Sequence, residues 1–361
     1  MEKSAVTGLL EQLKALASDG EGVYPTGSFP SQRYHPFLPY SREDDNLFFT
    51  ATVAYTLKSH LDLMSDAERE LANSIIEAAS SIIPLFRNKG GKPTYNFWQT
   101  KPSRHFPNGL FMRKFEHFRI PDDADDTALA HLLVNHSEKE VHDLTVLFSS
   151  HANLSKKPIE NTWSEFKELG AISTFFGEKM RIEFDAVVMC NALLFLKGRN
   201  VEESIVEDSI AFIDGVIENG YHLSAPFYAA ANYPKPDLII YHVARLIRRF
   251  PQISLSKHRE KLVRDLDDLL ATNLPHLNQL VAVNAKLLLG VQELNQAESS
   301  LDAKKVVNDS EGYFFHAGML SAFENSLAQN LSKNSLFHFR YRCKALNIAM
   351  LIEHELLRRS P

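Results

Sequence analysis

The chain of 361 residues has only two cysteines, Cys190 and Cys343, too few and too far apart for a disulfide framework or a four-cysteine zinc site. It has no excess of positive charge either: 45 acidic residues against 39 basic ones leave a formal charge of -6, which argues against a surface that tracks phosphate backbones and against nucleic acid as a partner. Long hydrophobic runs are missing, since the most apolar stretches, 186–196 and 280–289, fall far short of the ~20 residues that a bilayer-spanning helix needs. The first 22 residues have no basic segment followed by an apolar run and read as a short amphipathic helix rather than a secretory signal. A protein of the reducing cytosol is expected, with at most peripheral contact with a membrane. No Gly-, Ser- or Pro-rich linker divides the chain, so residues 1–361 are read as one domain. With 44% hydrophobic residues and 23% charged ones, disorder is excluded and a large core is expected.

Alternation of apolar and polar residues over six or more positions is hard to find, whereas apolar residues at three- and four-residue spacing are everywhere, and the fold class is read as all-α. Ser65 with Glu68 and Ser137 with Glu140 have the spacing of capping boxes and mark helix starts. Two kinds of helix follow from the pattern. Residues 66–83, 138–148, 202–218 and 257–271 are charged on one side, while 47–57, 127–134, 186–196, 238–247, 281–291 and 344–351 are apolar nearly all round. A helix apolar on every face must be buried on every face. Six such helices alternating with half-exposed ones predict a six-hairpin (α/α)6 toroid, with an irregular solenoid or two bundles as the plainer readings. Residues 22–41 and 89–121 are rich in proline and aromatics and are expected to be ordered loops near the mouth of the barrel.

The chemistry concentrates in Ile120–Ala130, where Asp122, Asp123, Asp125 and Asp126 stand directly before an apolar helix. One or two of them are explained as caps that favour the positive helix end, Asp122 most readily. Four are not. Crowded carboxyls in an apolar setting retain protons near neutral pH, and a retained proton can be given to a base as poor as an alkene.

The run Asp123-Ala124-Asp125-Asp126-Thr127-Ala128 resembles the DxDDTA signature of class II terpene cyclases, the superfamily of squalene-hopene cyclase, whose domains are α/α toroids. That resemblance implies protonation-initiated cyclisation of an isoprenoid substrate, with Asp125 as the proton donor, supported by Asp123 and Asp126, and with no cofactor required. The chain departs from the large members of that superfamily, which pair two or more helical domains, and it lacks the glutamine-tryptophan repeats of the triterpene enzymes.

Other residues are candidates for binding. Asp44, Asp45 and Asn46 precede the first apolar helix much as the DxDD run precedes its own, so Asp44 and Asp45 could hold Mg2+ with a diphosphate or, equally, cap that helix. Tyr95, Phe97 and Trp98 would line a cavity whose aromatic faces stabilise carbocations. Arg104, Arg113 and Lys114 are further candidates for a phosphate. His242 and His316 stand in apolar sequence, where a core role competes with one in orienting the acid. Asp185 and Cys190 with one of these histidines are similar to the zinc ligands of protein prenyltransferase β subunits, although the five-residue offset departs from that pattern. Two alternative functions stay open: a non-catalytic toroid that binds a lipid or a protein, and a carbohydrate-active toroid with two carboxylates across a polar cleft.

Overall fold

The structure, a computed structural model, describes residues 4–101, 120–177, 180–299, 301–318 and 326–359. It is mostly helical. Helices are numbered along the chain. Those with little or no exposed face are α2 (Leu47–Lys58), α4 (Ala124–Leu133), α6 (Ala186–Gly198), α10 (Pro236–Arg249), α12 (His276–Leu288) and α16 (Lys344–Arg359). Every residue from Leu47 to Leu57 and from Ala186 to Leu196 is buried, as all-round apolarity requires. Each of the six packs on the next: α2 on α4, α4 on α6, α6 on α10, α10 on α12, α12 on α16, and α16 back on α2. One core cluster extends from Val6 to Leu357.

The helices with one buried face are α1 (Ala5–Ala15), α3 (Asp66–Ser81), α5 (Glu138–His151), α7 (Ser204–Glu218) and α11 (Arg259–Leu270). In α3 the buried positions Glu68, Ala72, Ile75, Ile76 and Ala79 fall at helical spacing on one stripe, and this face meets α2. Both expected capping boxes are formed, Ser65 with Glu68 at the start of α3 and Ser137 with Glu140 at the start of α5. The short helical segments are α8 (Tyr221–Ser224), α9 (Pro226–Ala229), α13 (Gln296–Ser299), α14 (Ala303–Val307) and α15 (Ser326–Ser332).

The all-α reading needs one correction, a four-stranded antiparallel sheet ordered β2-β1-β4-β3, built from β1 (Ser31–Tyr34), β2 (Ser41–Asp44), β3 (Phe315–Gly318) and β4 (His338–Arg342). Strands of four or five residues are too short to show alternation over six positions, and the central pairing, β1 with β4, joins residues some 300 apart in the chain, for example Arg33 opposite Tyr341. The segment 22–41 is therefore partly strand. It leans on α3 at Gly27, where φ is +92° and an added Cβ would stand 2.5 Å from the Ala78 carbonyl oxygen, so only glycine fits. Of the segment 89–121, residues 102–119 lie outside the described residues, and with them Arg104, Arg113 and Lys114.

A buried ion pair ties the sheet to the helices. Arg33 of β1 and Asp44 of β2 are both inaccessible, with Arg33 Nη1 3.1 Å from Asp44 Oδ2. Trp98 Nε1 and Asn46 Nδ2 donate to the other carboxylate oxygen at 3.0 and 3.1 Å, and Arg33 Nη2 donates to the Tyr40 hydroxyl at 3.0 Å. Removing one partner would leave the other as an uncompensated buried charge. Asp44→Asn is expected to lower stability by about 3–5 kcal/mol in urea unfolding, and the double replacement Arg33→Met, Asp44→Leu to cost less than the two single changes added together. Single-variant losses below 1 kcal/mol would show that this pair does not carry the junction.

Candidate functional site

The helix that carries the DxDD run begins at Ala124, and its N-cap is Asp123, whose carboxylate accepts the Asp126 amide at 2.8 Å. Asp122, expected to be the cap, lies one residue too early. Instead it accepts hydrogen bonds from Asn88, Thr94 and Asn96 and holds the 88–96 segment against the helix start. Capping thus accounts for Asp123, and loop anchoring for Asp122. Neither accounts for Asp125 and Asp126.

Asp125 is buried between three helices and the segment before α10. Asn191 of α6 donates its amide to Asp125 Oδ1 at 2.7 Å, and the Tyr233 hydroxyl donates to Oδ2. Arg245 of α10 donates to Asn191 Oδ1 at 3.4 Å, which turns the Asn191 amide nitrogen towards Asp125. A proton on Asp125 is accommodated on Oδ2, because the Asn191 amide can only donate to Oδ1 whereas the Tyr233 hydroxyl can turn and accept in place of donating. Burial pushes the Asp125 carboxyl above its ordinary range; the hydrogen bonds from Tyr233 and Asn191, and the charge of Arg245, pull the other way.

The two neighbours are crowded further. Asp123 is pushed up to about 8 by burial and then by the charge of Asp125. Asp126 is held well above the ordinary carboxyl range by burial, by Asp123 and Asp125, and by a hydrogen bond to Asp123 in which Asp126 must carry the proton. The second oxygen of Asp126, Oδ1, is buried without a hydrogen-bond partner among the described residues. Proton retention in the run thus follows from geometry: three carboxyls converge on one buried helix end, and among the described residues no side chain forms a salt bridge with them.

Aromatic rings surround this acid cluster. Tyr233, the partner of Asp125, stands 5.9 Å from the Phe48 ring and 5.6 Å from that of Phe315. Phe97 stacks on Phe315 at 5.4 Å, so one of the expected cavity-lining residues belongs to this group. Tyr95 and Trp98 are buried nearby but face other partners: Tyr95 packs edge-on against His131 at 5.4 Å, and Trp98 serves the Arg33–Asp44 pair.

The remaining candidates are placed as follows. Asp44 is taken up by Arg33, Asp45 accepts from Gln99, and Asn46 caps α2 by accepting the Phe49 amide at 3.2 Å. Among the described residues no group of three or more His, Cys, Asp or Glu side chains converges as a metal ion would need. Asp185 caps α6, accepting the Val187 and Val188 amides at 3.0 and 3.2 Å, and also accepts the Asn232 amide at 2.9 Å. Cys190 is a buried thiol pushed up by burial. His242 bonds the Leu238 carbonyl at 2.8 Å, and His316 the Ala231 carbonyl at 2.7 Å; burial drives both down to about 3, so both are neutral. Neither bonds to Asp125, although the His242 ring lies 5.4 Å from that of Tyr233.

Asn191, Tyr233 and Arg245 were not singled out from the sequence. Asn191 and Arg245 had a usable signal, since each is a polar residue in a stretch read as apolar on every face. Tyr233 had none, because it sits in a short segment between helices. Among the described residues no helix is long and apolar enough to cross a membrane. Comparison of the chain with family models, with curated proteins and with solved structures returns no match.

The raised carboxyls make stability depend on pH with a definite sign. A buried Asp whose folded-state value lies above its unfolded value of about 3.9 binds its proton more tightly when folded, so its contribution is fully present below pH 4 and lost as pH rises through the folded value. For Asp123 that window runs from about pH 4 to about 8. Buried neutral histidines such as His242 and His316 contribute the opposite slope up to about pH 6.5, so the carboxyl share shows above it: urea midpoints of the wild type should fall from pH 7 to 8, and Asp126→Asn, which removes one of the crowded charges, should flatten the fall. A midpoint that does not fall from pH 7 to 8, or that falls equally in Asp126→Asn, would show that these carboxyls ionise freely.

Proposed function

We propose that the six mutually packed helices form a six-hairpin (α/α)6 toroid of terpenoid-cyclase type, and that the chain is an acid-initiated isomerase acting on an apolar isoprenoid. The cyclic order of helix contacts, with α16 returning to α2, supports the architecture. The observation that carries the chemistry is Asp125: a buried carboxyl with no capping duty, aligned by Asn191 and Tyr233 and set among aromatic rings. In the step envisaged, the π electrons of a terminal alkene take the proton of Asp125. Tyr233 can relay it by giving up its own hydroxyl proton and accepting that of Asp125. The carboxylate left behind keeps the hydrogen bonds of Asn191 and Tyr233, which stabilise the charge as it develops. The cation forms on the more substituted carbon, is attacked by the next double bond to close a ring, and ends by losing a proton or adding water. The rings of Phe48, Tyr233 and Phe315 offer it electron-rich faces. Nothing in this sequence of steps needs a metal, and Mg2+ at Asp44 and Asp45 would have to displace Arg33.

A second reading is favoured by one specific observation, the continuous contact of Phe48, Phe97, Tyr233, Phe315 and Tyr341 with one another. Side chains that fill space against each other suit a non-catalytic toroid that binds a lipid or protein elsewhere on its surface. The carbohydrate-active alternative calls for two carboxylates across an open polar cleft, and the acids here share one buried helix end. Incubation with prenyl diphosphates, squalene and oxidosqualene, followed by gas chromatography and mass spectrometry, separates the readings. A cyclised product whose yield drops at least ~10²-fold in Asp125→Asn is the expected result. Product formation that is unchanged by Asp125→Asn would remove Asp125 from the mechanism, and a wild type that turns over none of these substrates favours the binding toroid.

A further inference from the structure

A cleft of about 400 Å3 lies away from the acid cluster, between β4, the start of α10 and the turn at Ser310–Glu311; its lining includes Tyr34, Lys235, Ser310, Tyr313 and Arg340. Lys235 Nζ stands 4.5 Å from the centre of the Tyr313 ring, and the Arg340 guanidinium carbon stands 4.5 Å from the same point. Two cations brought to one ring repel each other, and at a half-buried site that repulsion is poorly screened. Among the described residues neither forms a salt bridge, and Arg340 Nε is buried without an acceptor. The carboxyls that face Lys235 are otherwise engaged: Asp237 accepts from Asn278, and Asp309 accepts the Leu277, Glu311 and Gly312 amides. Burial and the charge of Arg340 pull the Lys235 ammonium below its ordinary range, which an incoming anion would reverse.

Two further clefts share Ser310 with this one, and the three together are lined by six cationic side chains, Lys235, Lys304, Lys305, Arg340, Arg342 and Lys344, against three carboxylates, Glu43, Asp309 and Glu311. In a chain whose net charge is -6, this is a local reversal of sign. We propose that this cleft binds the phosphoryl group of a small molecule, with Lys235 and Arg340 as its charged contacts and Tyr313 beside them. A phosphoryl group suits the pair because it carries up to two negative charges and several acceptor oxygens, which a guanidinium and an ammonium can share. The volume lies within the usual range for small ligands. Lys235 is two residues from Tyr233, so the cleft and the acid cluster draw on the same inter-helix segment, but the inference stands independently of the acid-catalysed reading.

The test is isothermal titration of the intact chain at low ionic strength with inorganic diphosphate, a prenyl diphosphate and a nucleoside diphosphate. Saturable binding is expected, weakening as salt is added, and falling about tenfold or more in Lys235→Met and in Arg340→Met, with folding checked by circular dichroism. Glu311→Gln, at an exposed rim position that cannot unfold the core, should tighten binding about two- to threefold by removing a like charge. Asp125→Asn should bind as the wild type does, which keeps failure of the acid chemistry distinguishable from failure of this site. The three ligands identify the source of the phosphoryl group: equal affinity for all three assigns recognition to the phosphoryl alone, and a preference for one organic ligand assigns the rest to Tyr34 and Tyr313. No saturable binding of any of the three, or affinities that are the same in wild type, Lys235→Met, Arg340→Met and Glu311→Gln, would overturn the proposal.

Discussion

A polar side chain on a helix that has no face in water must find its partner inside the protein, and this constraint organises the interior. Burying an unpaired polar group costs several kcal/mol at the upper end of the usual range, and an unpaired charge costs more. Several of the polar residues on the buried helices are accordingly tied to a neighbouring helix. Arg245 reaches Asn191 and lies over the rings of Tyr55 and Tyr241 at 5.1 and 5.6 Å. Tyr241 in turn donates to Glu353 at 2.8 Å, and Asn284 donates to the same carboxylate at 3.0 Å while meeting His354 through its carbonyl. These links run from α6 through α10 to α12 and α16, with Tyr55 of α2 on the side of Arg245. Apolar packing alone would tolerate sliding or rotation between smooth helices. A chain of directed hydrogen bonds does not, so the polar minority of the core sets the register that the apolar majority stabilises.

The acid cluster is where that rule is strained. Asp125 is linked into the same interior chain by way of Asn191, so its charge is partly offset by Arg245 beyond, whereas Asp123 and Asp126 meet each other at the helix end. Protonation is the adjustment open to such a pair, since among the described residues none forms a salt bridge with it. The consequence is an asymmetry within four residues of sequence: Asp126 is the member best able to keep a proton, and Asp125 the one best placed to lose it, because its donors hold the carboxylate that results. A general acid needs both properties from one group or from two groups in contact. Here they are distributed over neighbours on one helical turn, which fits a proton store beside a proton donor.

How much of this was legible in the sequence follows from the range of the interactions. The helices were readable because all-round apolarity and capping boxes are local, and residues 47–57 and 186–196 reappear as buried segments of the expected length. The sheet was not, because β1 and β4 are too short to alternate visibly and pair Gln32 with Arg342 across nearly the whole chain. The acidic run was legible as a site, but the division of labour within it was not: a one-residue difference in where α4 begins makes Asp123 the cap and leaves Asp122 to the loop. Asp44 looked like a metal ligand for the same reason that it is an ion-pair partner. A carboxylate before a helix has the same sequence in both roles, and only the arrival of Arg33 from a neighbouring strand decides between them.

That sheet also bears on the chemistry. Phe315 is held in β3 opposite Tyr341 of β4, and it presses its ring towards both Phe48 at the start of α2 and Tyr233 beside Asp125. The Tyr233 hydroxyl is therefore confined between a ring fixed by the sheet and a carboxyl fixed by α4. On the proposed reading, a substrate carbon that takes a proton from Asp125 approaches Oδ2, since Oδ1 accepts from Asn191, and Tyr233 occupies that approach. Either the proton passes through the tyrosine hydroxyl, which requires no movement of the rings, or Tyr233 swings aside and Phe315 moves with it. The second course would disturb the β3–β4 pairing that holds Phe315 in place, while the first needs only one proton to pass from Asp125 to the tyrosine oxygen as the hydroxyl proton leaves for the substrate. Under the proposed acid chemistry, Tyr233 is therefore the group through which the proton of Asp125 leaves.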